Sequence, residues 1–118
     1  MNNIIFITGA SSDIGVALIE SIIEKCIIVA HYNNNNKRLL ELQKTTKNKI
    51  FTVKADFSSE KSIFEMLDKI ENEIGIPNKI IHLAASKFEN IRFKDVNWKN
   101  FNNEINISLG SITLILNR

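Results

Sequence analysis

The segment Thr8-Gly9-Ala10-Ser11-Ser12-Asp13-Ile14-Gly15 places two glycines six positions apart, with two serines between them, directly after the apolar run Ile4-Ile5-Phe6-Ile7. Residues of these types at this spacing are suited to holding a phosphate. Glycine allows positive φ and lets the backbone come close to a ligand. A helix that starts behind such a turn aims free N–H groups and the positive end of its dipole at the same spot. Asp13 is the discordant residue. A carboxylate favours a helix start, but beside a pyrophosphate it repels unless its side chain turns to solvent or caps the helix. A single glycine turn after a strand is common in tight βα connections, so its surroundings decide its meaning.

Those surroundings alternate between strand and helix patterns. Ile4 to Thr8 is a continuous apolar run, expected of a strand covered on both faces. Asp13 to Lys25 carries Ile14, Ala17, Leu18 and Ile22 at helical spacing, with Asp13 or Ser12 able to cap the start. Cys26 to Tyr32 reads as a second strand. The polar tract Asn33 to Asn36 reads as a turn and helix entry, and Leu39, Leu40 and Leu42 mark a helix to about Lys47. Ile50 to Lys54 is a third strand. Ser58 or Ser59 then caps a helix with Ile63, Met66, Leu67, Ile70 and Ile74 on one face, stopped by Gly75-Ile76-Pro77-Asn78. Lys79 to Ala84 is a fourth strand, residues 86–96 a loop, and Asn97 to Leu116 a last helix with Phe101, Ile105, Leu109 and Ile112.

The order βαβαβαβα predicts an α/β fold with a doubly wound parallel sheet and right-handed crossovers. Ligands in such sheets bind at the carboxyl ends of the strands, near the topological switch point. Gly9, Tyr32, Asp56 and Ala84-Ala85 all fall at such ends. Taken alone, Asp56 serves equally well as a helix cap. His82 reads first as a packed histidine and second as a partner for a backbone carbonyl. Leu83 reads as core.

Thr8-Gly9-Ala10-Ser11-Ser12-Asp13-Ile14-Gly15 resembles the TGxxxGxG pattern of the short-chain dehydrogenase/reductase family, with Asp13 where that pattern has a glycine. Other positions match in order along the chain. Asp56 in Ala-Asp-Phe57 is similar to the family's aspartate after the third strand. His82-Leu83-Ala84-Ala85 takes the place of NNAG, without its two asparagines. Asn106 in Glu-Ile-Asn-Ile is similar to the fourth-helix asparagine. The resemblance implies a Rossmann-type sheet, cut after about four strands and four helices, with residues 1–118 as the N-terminal part of one dinucleotide-binding domain. It implies that Gly9, Ser11, Ser12, Asp13, Ile14 and Gly15 lie along the pyrophosphate and adenosine-ribose side of a nicotinamide cofactor. Asp56 and Phe57 would meet the adenine, Ala84 and Ala85 would admit the cofactor close to the fourth strand, and Asn106 would hold a water of the catalytic proton relay.

Cofactor choice is read where the second strand ends. An acid there hydrogen-bonds the ribose hydroxyls of NAD and repels the extra phosphate of NADP. The chain offers His31, Tyr32 and Asn33, then Lys37 and Arg38, with no acid among them. This favours NADP(H) over NAD(H), although Lys37 and Arg38 serve equally as a solvated helix surface. The family's Tyr-x-x-x-Lys pair, in which tyrosine is the general acid/base, is expected to lie outside these residues. The single tyrosine is Tyr32, and four positions on stands Asn36.

Composition narrows the remaining classes. A chain of 118 residues, 44% hydrophobic and 24% charged, has the balance of a globular protein. A net charge of +2 with scattered lysines does not indicate a nucleic-acid partner. No apolar run approaches a membrane span, and no signal peptide is recognisable. One cysteine, Cys26, points to a buried thiol in a reducing, cytoplasmic setting and gives no metal site. The expected reading is the NADP(H)-binding portion of a reductase acting on a small carbonyl or alcohol, self-associating through its last helix. The alternative is a non-catalytic nucleotide-binding or interaction module.

Overall fold

The computed structural model describes residues 3–85, 95 and 97–118. Strand β1 (Ile4–Thr8) is buried along its whole length. Its alternate residues serve opposite cores: Ile4 and Phe6 join one apolar cluster, Ile5 and Ile7 the other. A strand apolar on both faces needs helices on both, and the rest of the chain supplies them.

β2 (Ile27–Tyr32) and β3 (Lys49–Lys54) extend the sheet to one side of β1, and β4 (Lys79–His82) pairs on the other, giving the order β3-β2-β1-β4 with every pairing parallel. The chain thus steps outward from β1 to β3 and then returns across it. The switch point lies between β1 and β4. Helices α1 (Asp13–Ser21) and α2 (Lys37–Thr45) cover one face through Val16, Ile19, Leu39 and Leu42. On the other face lies α3 (Glu60–Glu73), through Ile63, Met66, Leu67 and Ile70. Beside it, α4 (Trp98–Ile105) runs through a widened π-type turn, Asn106–Gly110, into α5 (Ser111–Asn117), whose Ile115 enters the same core. Arg118 ties this end to α3 by ion pairs with Asp68 and Glu71. The result is the expected doubly wound, Rossmann-type α/β sheet.

Three local expectations are corrected. Helix α1 ends at Ser21 instead of Lys25, and Ile22 is already extended (φ −74°, ψ 113°); consecutive β-branched residues gain little from continuing a helix. Its buried face also differs. Gly15, Val16 and Ile19 point inward, while Ile14 and Ala17 are exposed. The cause is Gly15, where a Cβ would stand 2.3 Å from the Ala10 carbonyl oxygen. That contact sets the rotation of the helix about its axis.

The last helix is not uniform. In the widened turn the Ser111 N–H donates to the Asn106 carbonyl, five residues back. Phe101, Ile105 and Leu109 face solvent, whereas Ile107, Leu114 and Ile115 turn to the core. The caps follow the sequence more closely. Ser59 accepts from the Ser62 N–H at 3.2 Å, and Gly75 (φ +136°) closes α3 by donating to the Ile70 carbonyl. The segment 86–96 expected as a loop lies outside the described residues, apart from Asp95. No helix among the described residues is long and apolar enough to cross a membrane.

Candidate functional site

The site forms where β1 leaves the sheet. Gly9 has φ +64°, a conformation glycine alone adopts without strain. A Cβ on Gly9 would also lie 2.8 Å from the Ala84 nitrogen and 2.9 Å from the Leu83 carbonyl carbon. The exits of β1 and β4 therefore pass each other at a distance that no side chain permits. Thr8 holds them there: its Oγ1 accepts from the N–H groups of Leu83 (3.0 Å) and Ala84 (3.2 Å).

Two histidines brace this crossing. The Ser108 carbonyl accepts from His82 Nε2 at 2.9 Å, which leaves Nδ1 to accept from the Thr8 hydroxyl at 2.7 Å. His82 thus joins β1, β4 and the widened turn. It is a hydrogen-bonding brace and not simply a packed ring, which reverses the order of the two readings its sequence position allowed. His31 acts on the other side. Its Nδ1 accepts from the Gly9 N–H at 3.0 Å, and its Nε2 donates to the Ala55 carbonyl at 2.9 Å. Its ring stacks on Phe57, with centroids 3.9 Å apart. These partners require the neutral ring with the proton on Nε2. Burial holds the His31 pKa down to about 4, the Ala55 hydrogen bond opposing and the nearby His82 adding slightly.

A cleft of about 300 Å³ opens above this crossing, lined by Gly9, Ser11, Ser12, His31, Asn33, Ala55, Asp56, Phe57, Leu83, Ala84, Ala85 and Ile107. All four strand exits contribute. The start of α1 stands at its edge. Ser12 caps that helix, its Oγ accepting from the Gly15 N–H at 3.1 Å, and the Val16 N–H goes to the Ser12 carbonyl. The N–H groups of Asp13 and Ile14 remain at the open helix end, where an anion is favoured. Among the described residues Asp56 is the one charged member of the lining. The Ser58 hydroxyl and then the Ser58 amide, both donating to its Oδ1, hold its pKa below the usual carboxylate value. Asp56 is not the cap of α3; Ser59 is.

The structure brings Gly9, Ser11, Ser12, Asn33, Asp56, Phe57, Ala84 and Ala85 together around this cleft. Other candidates stand apart from its lining. Gly15 is buried beneath the turn against Ala10. Ile14 is 70% exposed. Tyr32 packs with the core on the α1 and α2 side, and its hydroxyl is approached by the Asn36 amide at 3.5 Å. Asn106 is exposed and opens the widened turn, while its neighbour Ile107 reaches the cleft. Asp13 leaves the capping to Ser12, projects to solvent and pairs with Arg38 at 2.6 Å. Position 13 has no positive φ, so its backbone needs no glycine. His31, which the sequence offers only as one of the residues at the end of the second strand, is a site residue as well. A histidine within an otherwise apolar strand, in need of a partner for each ring nitrogen, was the available signal.

The sequence fits the short chain dehydrogenase family model over residues 3–117. The chain belongs to this family. No curated protein sequence matches it significantly. Among solved structures it is similar to a short-chain dehydrogenase/reductase from Serratia marcescens, with 15% identity and a TM-score of 0.85, covering 98% of this chain and 48% of that one. It is also similar to an NADH-dependent reductase complexed with NAD (13% identity, TM-score 0.81, 98% and 50% covered). A third is a short chain dehydrogenase/reductase from Saccharomyces cerevisiae (15%, 0.79, 98% and 47%). The chain spans about half the length of each. At these identities the likeness is one of fold.

The His31 geometry has a pH signature. The folded-state value of about 4 lies below the ordinary 6.5, so unfolding takes up a proton between them. The stability contributed by neutral His31 is complete above about pH 6.5 and declines as pH falls toward 4, by about 3 kcal/mol in all. Urea denaturation from pH 7 to pH 4.5 is expected to show this decline, and His31→Gln to flatten it. Equal slopes for both proteins would contradict the assignment.

Proposed function

We propose that this chain is the dinucleotide-binding half of an oxidoreductase that transfers hydride between NADP(H) and a small carbonyl or alcohol. The observation carrying this reading is the cleft at the four strand exits, with Gly9 at its floor and the start of α1 at its edge. A nicotinamide dinucleotide, when bound, supplies or accepts the hydride. The residues present fit such a ligand. Gly9 and the small Ala84 and Ala85 leave room for close approach. Ser11, Ser12 and the open N–H groups of Asp13 and Ile14 suit a pyrophosphate, with Gly15 keeping α1 tight beneath them.

Asp56 and Phe57 stand where an adenine would lie, and its exocyclic amine suits an ionised Asp56. The end of β2, with Tyr32 and Asn33, would face the adenosine ribose. It carries no acid, and Lys37 and Arg38 follow at once, which supports NADP(H) over NAD(H). Asn106 would serve the proton relay of the complete enzyme. The single tyrosine, Tyr32, has Asn36 four positions on, so these 118 residues hold no Tyr-x-x-x-Lys pair and in this reading bind the dinucleotide without turning it over. A cytoplasmic location goes with this function and with the free, buried Cys26.

Self-association is part of the proposal. Trp98, Phe101, Ile105 and Leu109 project into solvent on successive turns of α4 and the widened turn, and Leu116 follows on α5. An apolar stripe of this length calls for cover.

Two measurements test these statements. Titration with NADPH and NADH, followed by energy transfer from Trp98, the single tryptophan, is expected to show saturable binding of both, tighter for NADPH. Absence of binding at millimolar concentration would remove the dinucleotide reading and favour an interaction module. Sedimentation velocity is expected to show a dimer or larger species that Phe101→Ser with Leu109→Ser dissociates. A monomer for the unmodified chain would contradict self-association.

A further inference from the structure

Among the described residues the cleft lining contains one charged side chain, and it is an acid, Asp56. A 2′-phosphate, which adds about −1.5 to −2 of charge, therefore has to find its cation at the rim. Among the described residues, Arg38 on α2 is a cation paired with the phosphate turn, its Nη1 2.6 Å from Asp13 Oδ1. Asp13 directly follows Ser12 of the lining, so the guanidinium is held by a carboxylate one residue along from the cleft. Arg38 also lines a groove together with Glu20 and Glu41. Lys37, next to Arg38, is exposed.

We infer that Asp13 is a cofactor-specificity residue: through its ion pair with Arg38 it withholds the cation that would bind a 2′-phosphate, and so restrains binding of the phosphorylated dinucleotide selectively. This rests on the dinucleotide reading of the cleft. The selectivity follows from charge and position. A carboxylate at the rim opposes a 2′-phosphate twice, by direct repulsion and by occupying Arg38. A dinucleotide without that phosphate meets neither obstacle. The pair is open to solvent, with side-chain exposures of 94% for Asp13 and 46% for Arg38. It is therefore weak enough for a phosphate to displace, and Arg38 can change partner without disturbing the core. The balance between the two cofactors is thus set by competition between Asp13 and the 2′-phosphate for one guanidinium.

The test is the ratio of NADPH to NADH affinity for the unmodified chain, Asp13→Asn, Arg38→Gln and the double variant. Both side chains are on the surface, so none of these variants threatens folding. At low ionic strength Asp13→Asn is expected to raise the ratio about threefold to fivefold, in keeping with an exposed ion pair. The gain should shrink as salt is added. Arg38→Gln is expected to lower the ratio, and in its background Asp13→Asn should lose most of its effect. If Asp13→Asn changes both affinities equally, Asp13 acts on the shared pyrophosphate, and the specificity role falls while the dinucleotide reading stands. If Arg38→Gln leaves the ratio unchanged, the role falls in the same way. If neither cofactor binds any of the four proteins, the dinucleotide reading fails, and this inference with it.

Discussion

The cleft at the strand exits depends on one close approach, the passage of Gly9 over the Leu83–Ala84 backbone. The neighbouring strand end leaves no room for a Cβ at position 9, and the positive φ there points the chain out of the sheet. If the two strand exits were spread by a side chain, β1 and β4 would lose the hydrogen bonds that Thr8 makes to both Leu83 and Ala84. The cleft floor is therefore the same feature as the sheet's switch point. Fold and site share a single constraint.

The approach is held by side chains whose chemistry suits a buried polar crossing. His31 gives the Gly9 N–H an acceptor and the Ala55 carbonyl a donor, so the exits of β1, β2 and β3 are joined by one neutral ring. His82 does the same for Thr8 and Ser108, and so fixes the widened turn of the last helix against the sheet. Unsatisfied backbone groups at this depth would be costly. The His31 ring meets two such needs, and the His82 ring meets one together with the Thr8 hydroxyl. The departures from the family pattern thus fall into two kinds. His82 stands where the pattern has an asparagine and braces β1, β4 and the widened turn. Asp13 replaces a glycine at a position whose backbone is ordinary helix, and its side chain is taken up by Arg38 outside the cleft.

Much of this was legible in the sequence, because the strands are apolar on both faces and the turns carry glycine or serine caps. Periodicity placed four strands and the helices between them, and of the strand-end residues Gly9, Tyr32, Asp56 and Ala84-Ala85 all but Tyr32 meet at the cleft. What could not be read were features decided by contacts across the sheet. On α1 and at its C-cap, Leu18 and Ile22 pack on the core as their spacing predicts, but Ile14 and Ala17 are exposed because Gly15 against Ala10 sets the rotation of the helix. The widened turn at Asn106–Gly110 lies where the Ser108 carbonyl meets His82, a partner 26 residues earlier. Tyr32 was placed at the right strand end, but alternation along β2 sends its ring to the helix side, and His31 one residue earlier faces the cleft. The pairing of Asp13 with Arg38 joins residues 25 apart and leaves no trace in local pattern.

The central claim is that the cleft at the strand exits receives a nicotinamide dinucleotide. The most direct measurement is a residue-resolved amide NMR titration of the 15N-labelled chain with NADPH. The account predicts that the largest shift changes fall on Gly9, Ser11, Ser12, Asn33, Asp56, Ala84 and Ala85, with those at the opposite end of the sheet, around Lys25 and Asn48, unmoved. Changes centred away from the strand exits, or none at saturating ligand, would contradict it.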